Sequence, residues 1–437
     1  MTDRAVLARR WKRFTQLVAV ALVVVVVVAV WPRDDDDTTS RAVTAGSDNP
    51  STTGITATTS TEPLVGYPGM PPVVDPSNIY SEIGPEHLSP DHASDPPLVY
   101  VPNGRSNTVS VIDPVTREVV FQFDTQGEPQ HVVPAYDLSR LWVLENQGNS
   151  VRPVDPATGE PGEPIPVDDP YNMYFTPDGG YAIIVAEANR QLDFRDPVTM
   201  ELSSSLPVEE CAGINHADFS ADGAYLLVTC EYAGLIAKID PFNQNLLDVL
   251  DLTANPVAGQ PVPEPREMPD GSVTSSMPQD IRAAPDGHHF YVADMMAGGI
   301  FVIDGDSLAV TKFVPTGTGA HGITPARDGL AFYVANRGSD QINGAPDGPG
   351  SVSVFDPVTE TVLATWEMPE GGSPDMGNLN EDGSELWLSG RFDREVYVFD
   401  TVNGVLAATI PVGDGPHGLT FWPQPGRYSL GHTGNMR

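Results

Sequence analysis

The chain has 437 residues and a net charge of −36, with 41 glycines and 43 prolines. Acidity on this scale repels nucleic acid and anionic headgroups, so neither is expected as a partner, and its ordinary role is solubility. The length allows two or three ordinary domains, or one large all-β domain with additions.

The chain opens on a basic segment, residues 1–13, containing Arg4, Arg9, Arg10, Lys12 and Arg13. An apolar run over 14–31 follows and is about long enough to cross a bilayer core; acidic residues then occupy 34–37. Positive charge before the span and negative charge after it predict a single-pass signal-anchor in the cell membrane, with the remainder extracytoplasmic. The alternative is a cleaved signal peptide and a secreted protein. Bulky Val30 and Trp31 oppose cleavage, while Ala29 leaves it open.

Residues 32–97 read as a Thr/Ser/Pro-rich linker. Its first half is too poor in large apolar residues to bury a core and is expected to be disordered. Its second half is Pro-rich and semi-extended, with Leu64, Ile79, Tyr80 and Leu88 apolar enough to lie along a folded body.

From residue 98 an apolar residue or pair runs into Asp and a turn seven times, at Asp113, Asp155, Asp196, Asp240, Asp304, Asp356 and Asp400. The spacing is mostly in the low forties, with two longer gaps, and a recurrence of this size means one supersecondary unit repeated. Within each unit the pattern is strand, turn, strand. Further turns at Asp178-Gly179, Asp222-Gly223, Asp286-Gly287 and Asp382-Gly383 separate β-branched and aromatic runs. Radial four-stranded units of this length make a β-propeller.

The first unit lacks an innermost strand, because 98–103 already matches second strands elsewhere, and 416–422 is an orphan first strand. The chain's end is therefore expected to complete the first blade and remove an exposed sheet edge. The prediction is an all-β, seven-bladed β-propeller over 98–422. A Gly-rich tail, 423–437, packs over the closing blade or stays loose. Gly- and Pro-rich insertions near 255–276 and 338–350 are either recognition loops or surface decoration.

Cys211 and Cys230 are the only cysteines. In an oxidising compartment they read as one disulfide, with two buried free thiols as the alternative.

The phrases Leu98-Val99-Tyr100-Val101-Pro102-Asn103, Ser106-Asn107-Thr108-Val109-Ser110-Val111-Ile112-Asp113 and Ile410-Pro411-Val412-Gly413-Asp414-Gly415-Pro416-His417-Gly418 resemble the bacterial, extracytoplasmic YVTN-type β-propeller family. The resemblance covers roughly 98–422. The wider group includes extracytoplasmic binding proteins and is similar to propellers of lactonases and of denitrification enzymes that use copper or haem. The resemblance implies a fold and leaves the chemistry open.

In such a propeller the first strands line the central channel, and the loops before them share a rim with the ends of the second strands. Gln130-His131, Tyr171-Asn172, Asn215-His216, Gln279-Asp280, His321-Gly322, Asp375-Met376 and His417-Gly418 fall at that rim by this register. The second strands add Asn103, Glu145, Glu187, Cys230, Asp294, Asn336 and Gly390, with Arg337 and Arg391 just beyond. Imidazole and carboxylate suit a divalent transition metal, so His131, His216, Asp280, His321 and His417 are candidate metal ligands. The same groups could equally hydrate a channel. Glu145, Asn172, Glu187, Asp294, Asn336, Arg337, Asp375 and Arg391 are candidate ligand-binding residues. Antiparallel neighbours would set Cys211 beside Cys230 on this rim.

No Gly-x-Ser-x-Gly elbow, Gly-Lys-Ser/Thr phosphate loop or Cys-x-x-Cys-His haem attachment occurs. The expected function is a membrane-tethered module that binds a small-molecule or protein ligand at the polar mouth. The alternative is a metal-dependent or redox enzyme, lactonase-like or a small-molecule oxidoreductase, using a His/carboxylate site there. A divalent metal is the one cofactor these residues allow.

Overall fold

Each of the seven repeated Asp residues closes its turn by accepting backbone amides. Asp113 Oδ1 takes the N–H of Val115 at 2.8 Å, and Asp155, Asp196, Asp240, Asp304, Asp356 and Asp400 do the same. The fourth residue after each Asp has a positive φ; Gly159 and Gly404 fill that position in two blades. The repeat is therefore a turn device, in which a short carboxylate replaces backbone hydrogen bonds lost at the reversal.

The computed structural model describes residues 66–343 and 348–437. It contains seven four-stranded antiparallel sheets. The second blade is representative, running Pro129–Pro134, Leu141–Glu145, Ser150–Val154 and Ile165–Pro166 from axis to rim. Inner strands such as Leu226–Cys230 are buried along their whole length, because both of their faces meet neighbouring blades. Outer strands such as Glu118–Asp124 are mostly exposed.

The first blade closes as the orphan strand predicts. Leu98–Asn103 pairs with Thr108–Asp113 on one side and with Thr420–Trp422 on the other, Val99 opposite Phe421. Asn103 also bridges Pro416, and Val132 N–H bonds to Gly418 O at 3.0 Å. The end of the repeat is thus tied to both the first and second blades.

Two segments take definite form. Over its described part, the linker predicted at 32–97 lies along the folded body, as its apolar residues suggest. Residues 66–97 cross the propeller face with Tyr67, Ile79, Tyr80 and Ile83 buried, and Tyr80 Oη donates to Ala283 O at 2.7 Å. The N–H groups of Tyr67 and Ile79 and the Asn78 side-chain amide donate to Asp222 O, Pro285 O and Asp328 O, fastening this chain to turns of the fourth to sixth blades. The tail, 423–437, does not stay loose: it packs beside the closing strand, where Thr420 Oγ1 donates to Thr433 O at 3.1 Å, and continues beyond it. It forms a tight loop (Ser429 bridged to Met436) that enters the channel, where Gly431 bridges Tyr174.

The predicted membrane span and the disordered half of the linker lie outside the described residues. Among the described residues no helix is long and apolar enough to cross a membrane.

Candidate functional site

The channel side chains are aimed by a repeated backbone irregularity. The first strands break register against their neighbours at Pro129/His131, Pro170/Asn172, Ile214/Ala217, Pro278/Ile281, Ala320/Ile323 and Pro374/Gly377. A bulge leaves residues unpaired and re-aims their side chains. The residues freed this way include Asn215-His216, Gln279-Asp280, His321-Gly322 and Asp375-Met376. The polar rim legible in the sequence is therefore a ring of bulges.

Asp375 organises one side of this ring. Arg337 Nε donates to its Oδ1 at 2.8 Å, and Nη2 lies 2.7 Å from the same oxygen. His417 Nδ1 donates to Oδ2 at 2.6 Å. His321 Nδ1 lies 3.0 Å from Oδ1 but is poorly aligned for a hydrogen bond. Burial alone would raise the Asp375 pKa; Arg337, then His321 and His417, hold it well below the usual carboxylate range. Burial in turn pushes His321 down to about 4 and His417 well below its ordinary value. The result is an ionised carboxylate among neutral imidazoles, fully closed off from water.

Asp280 behaves differently. Its oxygens accept the N–H groups of Ile281 at 2.9 Å and Ile323 at 2.8 Å, with Arg282 Nη1 at 3.1 Å from Oδ1. It fastens the fifth blade to the sixth, and its Oδ1 also lies 3.2 Å from His432 Nε2, so it borders the channel imidazoles.

Deeper in the channel, His131 and His216 meet His432, a tail residue outside the repeat. One ligand atom from each lies within 4.8 Å of the others, and all three side chains are buried. The His216 and His432 rings stack at 4.8 Å, and His131 packs edge-on to both. Nε2 of all three lacks an aligned hydrogen bond, although His432 Nε2 lies 3.2 Å from Asp280 Oδ1. His131 Nδ1 donates to Tyr171 O at 3.0 Å, which makes its Nε2 a bare lone pair. Asn172 Nδ2 donates to His216 Nδ1, and Thr433 N–H donates to His432 Nδ1.

Nearer the solvent end, Glu187 and Arg391 are half-buried, Tyr171 and Glu231 almost wholly buried. Burial, then the neighbouring Glu231, pushes Glu187 well above the normal range; burial also raises Glu231. Arg391 has a buried Nε without a partner and no ion pair among the described residues. Burial and repulsion by Arg337 lower its pKa.

Several candidate residues prove to be internal fasteners. Glu145 is buried against Arg152 (2.7 Å) and accepts from Ser150 Oγ. Asp294 accepts from Ser276 Oγ and from the N–H groups of Met277 and Ala297. Asn336 donates to Ser351 and Ser353 within its own blade. Asn172 holds His216. Cys211 and Cys230 are bonded, with Cα atoms 4.8 Å apart.

Sequence reasoning missed His432 and Glu231. Glu231 had a usable signal, since it follows its second strand as Arg337 and Arg391 follow theirs. His432 had none, because the tail carries no repeat to set its register.

These features define a seven-bladed β-propeller with a tail-filled channel. No family model matches the chain, and no curated protein matches it. Among solved structures it is similar to a functionally unknown protein from Desulfotomaculum acetoxidans DSM 771, at TM-score 0.54 and 18% identity, covering 73% of this chain and 98% of that one. Kuenenia stuttgartiensis hydrazine synthase gives TM-score 0.52 and 17% identity, with coverages of 66% and 87%. Dihydro-heme d1 dehydrogenase NirN in complex with DHE gives 0.51 and 14%, with 74% of both chains covered. At such identities the likeness establishes the propeller fold alone.

Proposed function

We propose that this protein is an extracytoplasmic propeller of the YVTN type, tethered to the membrane by its N-terminal segment, and that its mouth binds a small polar ligand carrying an anionic group. One observation carries the reading: Arg391 stands half-buried at the mouth with an unpartnered Nε and no ion pair among the described residues. A partly desolvated guanidinium without an acceptor is costly, and a carboxylate or phosphate oxygen removes that cost through charge-assisted hydrogen bonds. The basic-apolar-acidic order of the N-terminus and the disulfide support the compartment.

The test uses the purified full-length protein and a panel of acetate, succinate, glutamate and inorganic phosphate, followed by calorimetry. At least one member is expected to bind saturably, and Arg391→Gln to weaken it about tenfold, equal to about 1.4 kcal/mol. Binding by none of the four, or unchanged binding by the variant, overturns the reading. Protease added to intact cells tests the compartment; complete protection of the propeller there counts against it.

The enzyme reading has one observation in its favour, the convergence of His131, His216 and His432. Their exposure of 1% or less leaves a substrate no visible route to them, which favours a structural role for that cluster.

A further inference from the structure

We infer that His131, His216 and His432 bind one divalent transition-metal ion, and that this ion fastens the C-terminal tail inside the channel. Three imidazoles from three separate chain regions place ligand atoms within 4.8 Å of one another. All three Nε2 atoms are buried and without an aligned hydrogen bond; His432 Nε2 has the Asp280 carboxylate 3.2 Å away, an anion at the edge of the site that favours a cation there. An unsatisfied buried polar atom costs roughly 1–3 kcal/mol, and three in one spot ask for a shared partner. Neutral imidazole nitrogens suit Zn²⁺, Co²⁺, Ni²⁺ or Cu²⁺ and disfavour Ca²⁺ or Mg²⁺.

Ligation has identifiable costs. His131 is already set, because its Nδ1–H is held by Tyr171 O. His216 and His432 would have to carry their proton on Nδ1, where Asn172 and Thr433 now donate. Turning the Asn172 amide presents an oxygen to His216 and offers an acceptor to the Tyr174 hydroxyl, while Met173 N–H loses its acceptor. Each lost hydrogen bond is worth about 1 kcal/mol, against roughly 10–16 kcal/mol for a structural zinc site. An ion bound at about 2.0–2.1 Å holds tetrahedral ligands about 3.4 Å apart, so the set, now within 4.8 Å, closes by about 1.4 Å at most. The ion outweighs these losses.

The consequence is mechanical. His432 sits at the tip of the tail loop, with its N–H on Met173 O, so an ion shared with His131 and His216 joins the tail to the second and fourth blades. This does not rest on the mouth reading, since Arg391 lies elsewhere.

The experiment strips full-length protein with EDTA, reloads it with Co²⁺ or Zn²⁺, and counts metal per chain by elemental analysis. Co²⁺ also reports nitrogen ligation through its visible bands. One ion per chain is expected in the wild type and in His321→Gln, a channel histidine outside the set. His432→Gln and His131→Gln should each weaken binding by more than the 10–100-fold typical of losing an outer-shell partner. Trypsin cleavage after the exposed Arg427 should quicken on metal removal and in His432→Gln. Failure of the wild type to retain Co²⁺, Zn²⁺, Ni²⁺ or Cu²⁺ after dialysis overturns the inference, leaving an ordered water as the shared partner. Retention of full affinity by both His432→Gln and His131→Gln overturns it as well. If one variant fails to fold, the other decides.

Discussion

His417 Nδ1 meets Asp375 Oδ2 at 2.6 Å, which joins the segment that completes the first blade to the inner strand of the seventh. The velcro of backbone pairing is thus backed by a buried charge contact on the neighbouring blade. Asp375 is also the sole ion-pair partner of Arg337 among the described residues. Asp375→Ala should therefore strand a buried guanidinium and cost about 3–5 kcal/mol. Urea unfolding of wild type and variant checks this. A loss below 1 kcal/mol would mean that water reaches Arg337 in solution.

Stability should fall as the pH drops below 6.5. His321 is neutral in the folded protein because burial, with Arg337 and Arg391 nearby, outweighs the attraction of Asp375; its pKa falls to about 4. His417 and His216 also face it. The folded pKa lies below the unfolded one, so between about 6.5 and about 4 the unfolded chain binds the extra proton. The neutral ring's contribution is complete above the unfolded value and is lost as pH falls. The slope from one fully titrating group is about 1.4 kcal/mol per pH unit. Urea midpoints at pH 7.5, 6 and 5 should decline, and His321→Gln should flatten the decline. An unchanged slope in the variant would assign the effect to other groups.

The fold was legible because its signals are local and repeated. Asp113 and its six counterparts mark turns through a mechanism contained within four residues, and the match of 98–103 to second strands exposed the closure. The channel was partly legible, since counting from turns placed His131, His216, His321, Asp375 and His417 on one ring. Whether each residue in that register is free or already satisfied was not legible. Glu145 looks equivalent to Glu187, yet Arg152, on the adjacent strand two residues along in register, neutralises it. The tail was illegible for a different reason: its partners, Asp218 and Tyr174, are more than two hundred residues distant, and nothing periodic links them.

Glycine at 418 tests how closely the inner strands approach. A Cβ added there would overlap the His131 ring, and the Gly418 backbone bonds to both Gln130 and Val132. Neither strand can retreat without breaking the closure. Gly418→Ala should cost about 1–3 kcal/mol through overpacking, measured by thermal unfolding. Gly348→Ala, whose added Cβ meets nothing within 4 Å among the described residues, is the matched control and should stay within about 0.5 kcal/mol of wild type.

The disulfide predicts a redox-dependent stability that leaves the fold unchanged. Cys211 and Cys230 are 19 residues apart, and closing a loop of that size stabilises by about 3 kcal/mol in the chain-entropy account. Both cysteines are buried, so a reductant should act slowly on the folded protein and quickly once urea opens the blade.

The last prediction concerns Arg437, whose side chain reaches far from its neighbours in sequence. Its Nη2 pairs with Asp218 Oδ1 at 2.9 Å, its Nη1 donates to Asn435 Oδ1 at 2.7 Å, and its guanidinium lies 5.1 Å from the Tyr80 ring centroid. It therefore couples the tail, the fourth blade and the N-terminal segment on one face. Burial alone would lower its pKa; Asp218 raises it, so the charge is held at every working pH. Arg437→Met keeps much of the apolar stem and removes the charge, leaving Asp218 with Asn435 and the Ala283 and Phe219 amides. The expected cost is about 3–5 kcal/mol, the usual result of breaking a buried pair. Hydrogen exchange should localise the change to 66–97 and 428–437, with the outer blades unaffected. A global loss of protection at equal amplitude would instead make the tail part of the cooperative core of the ring.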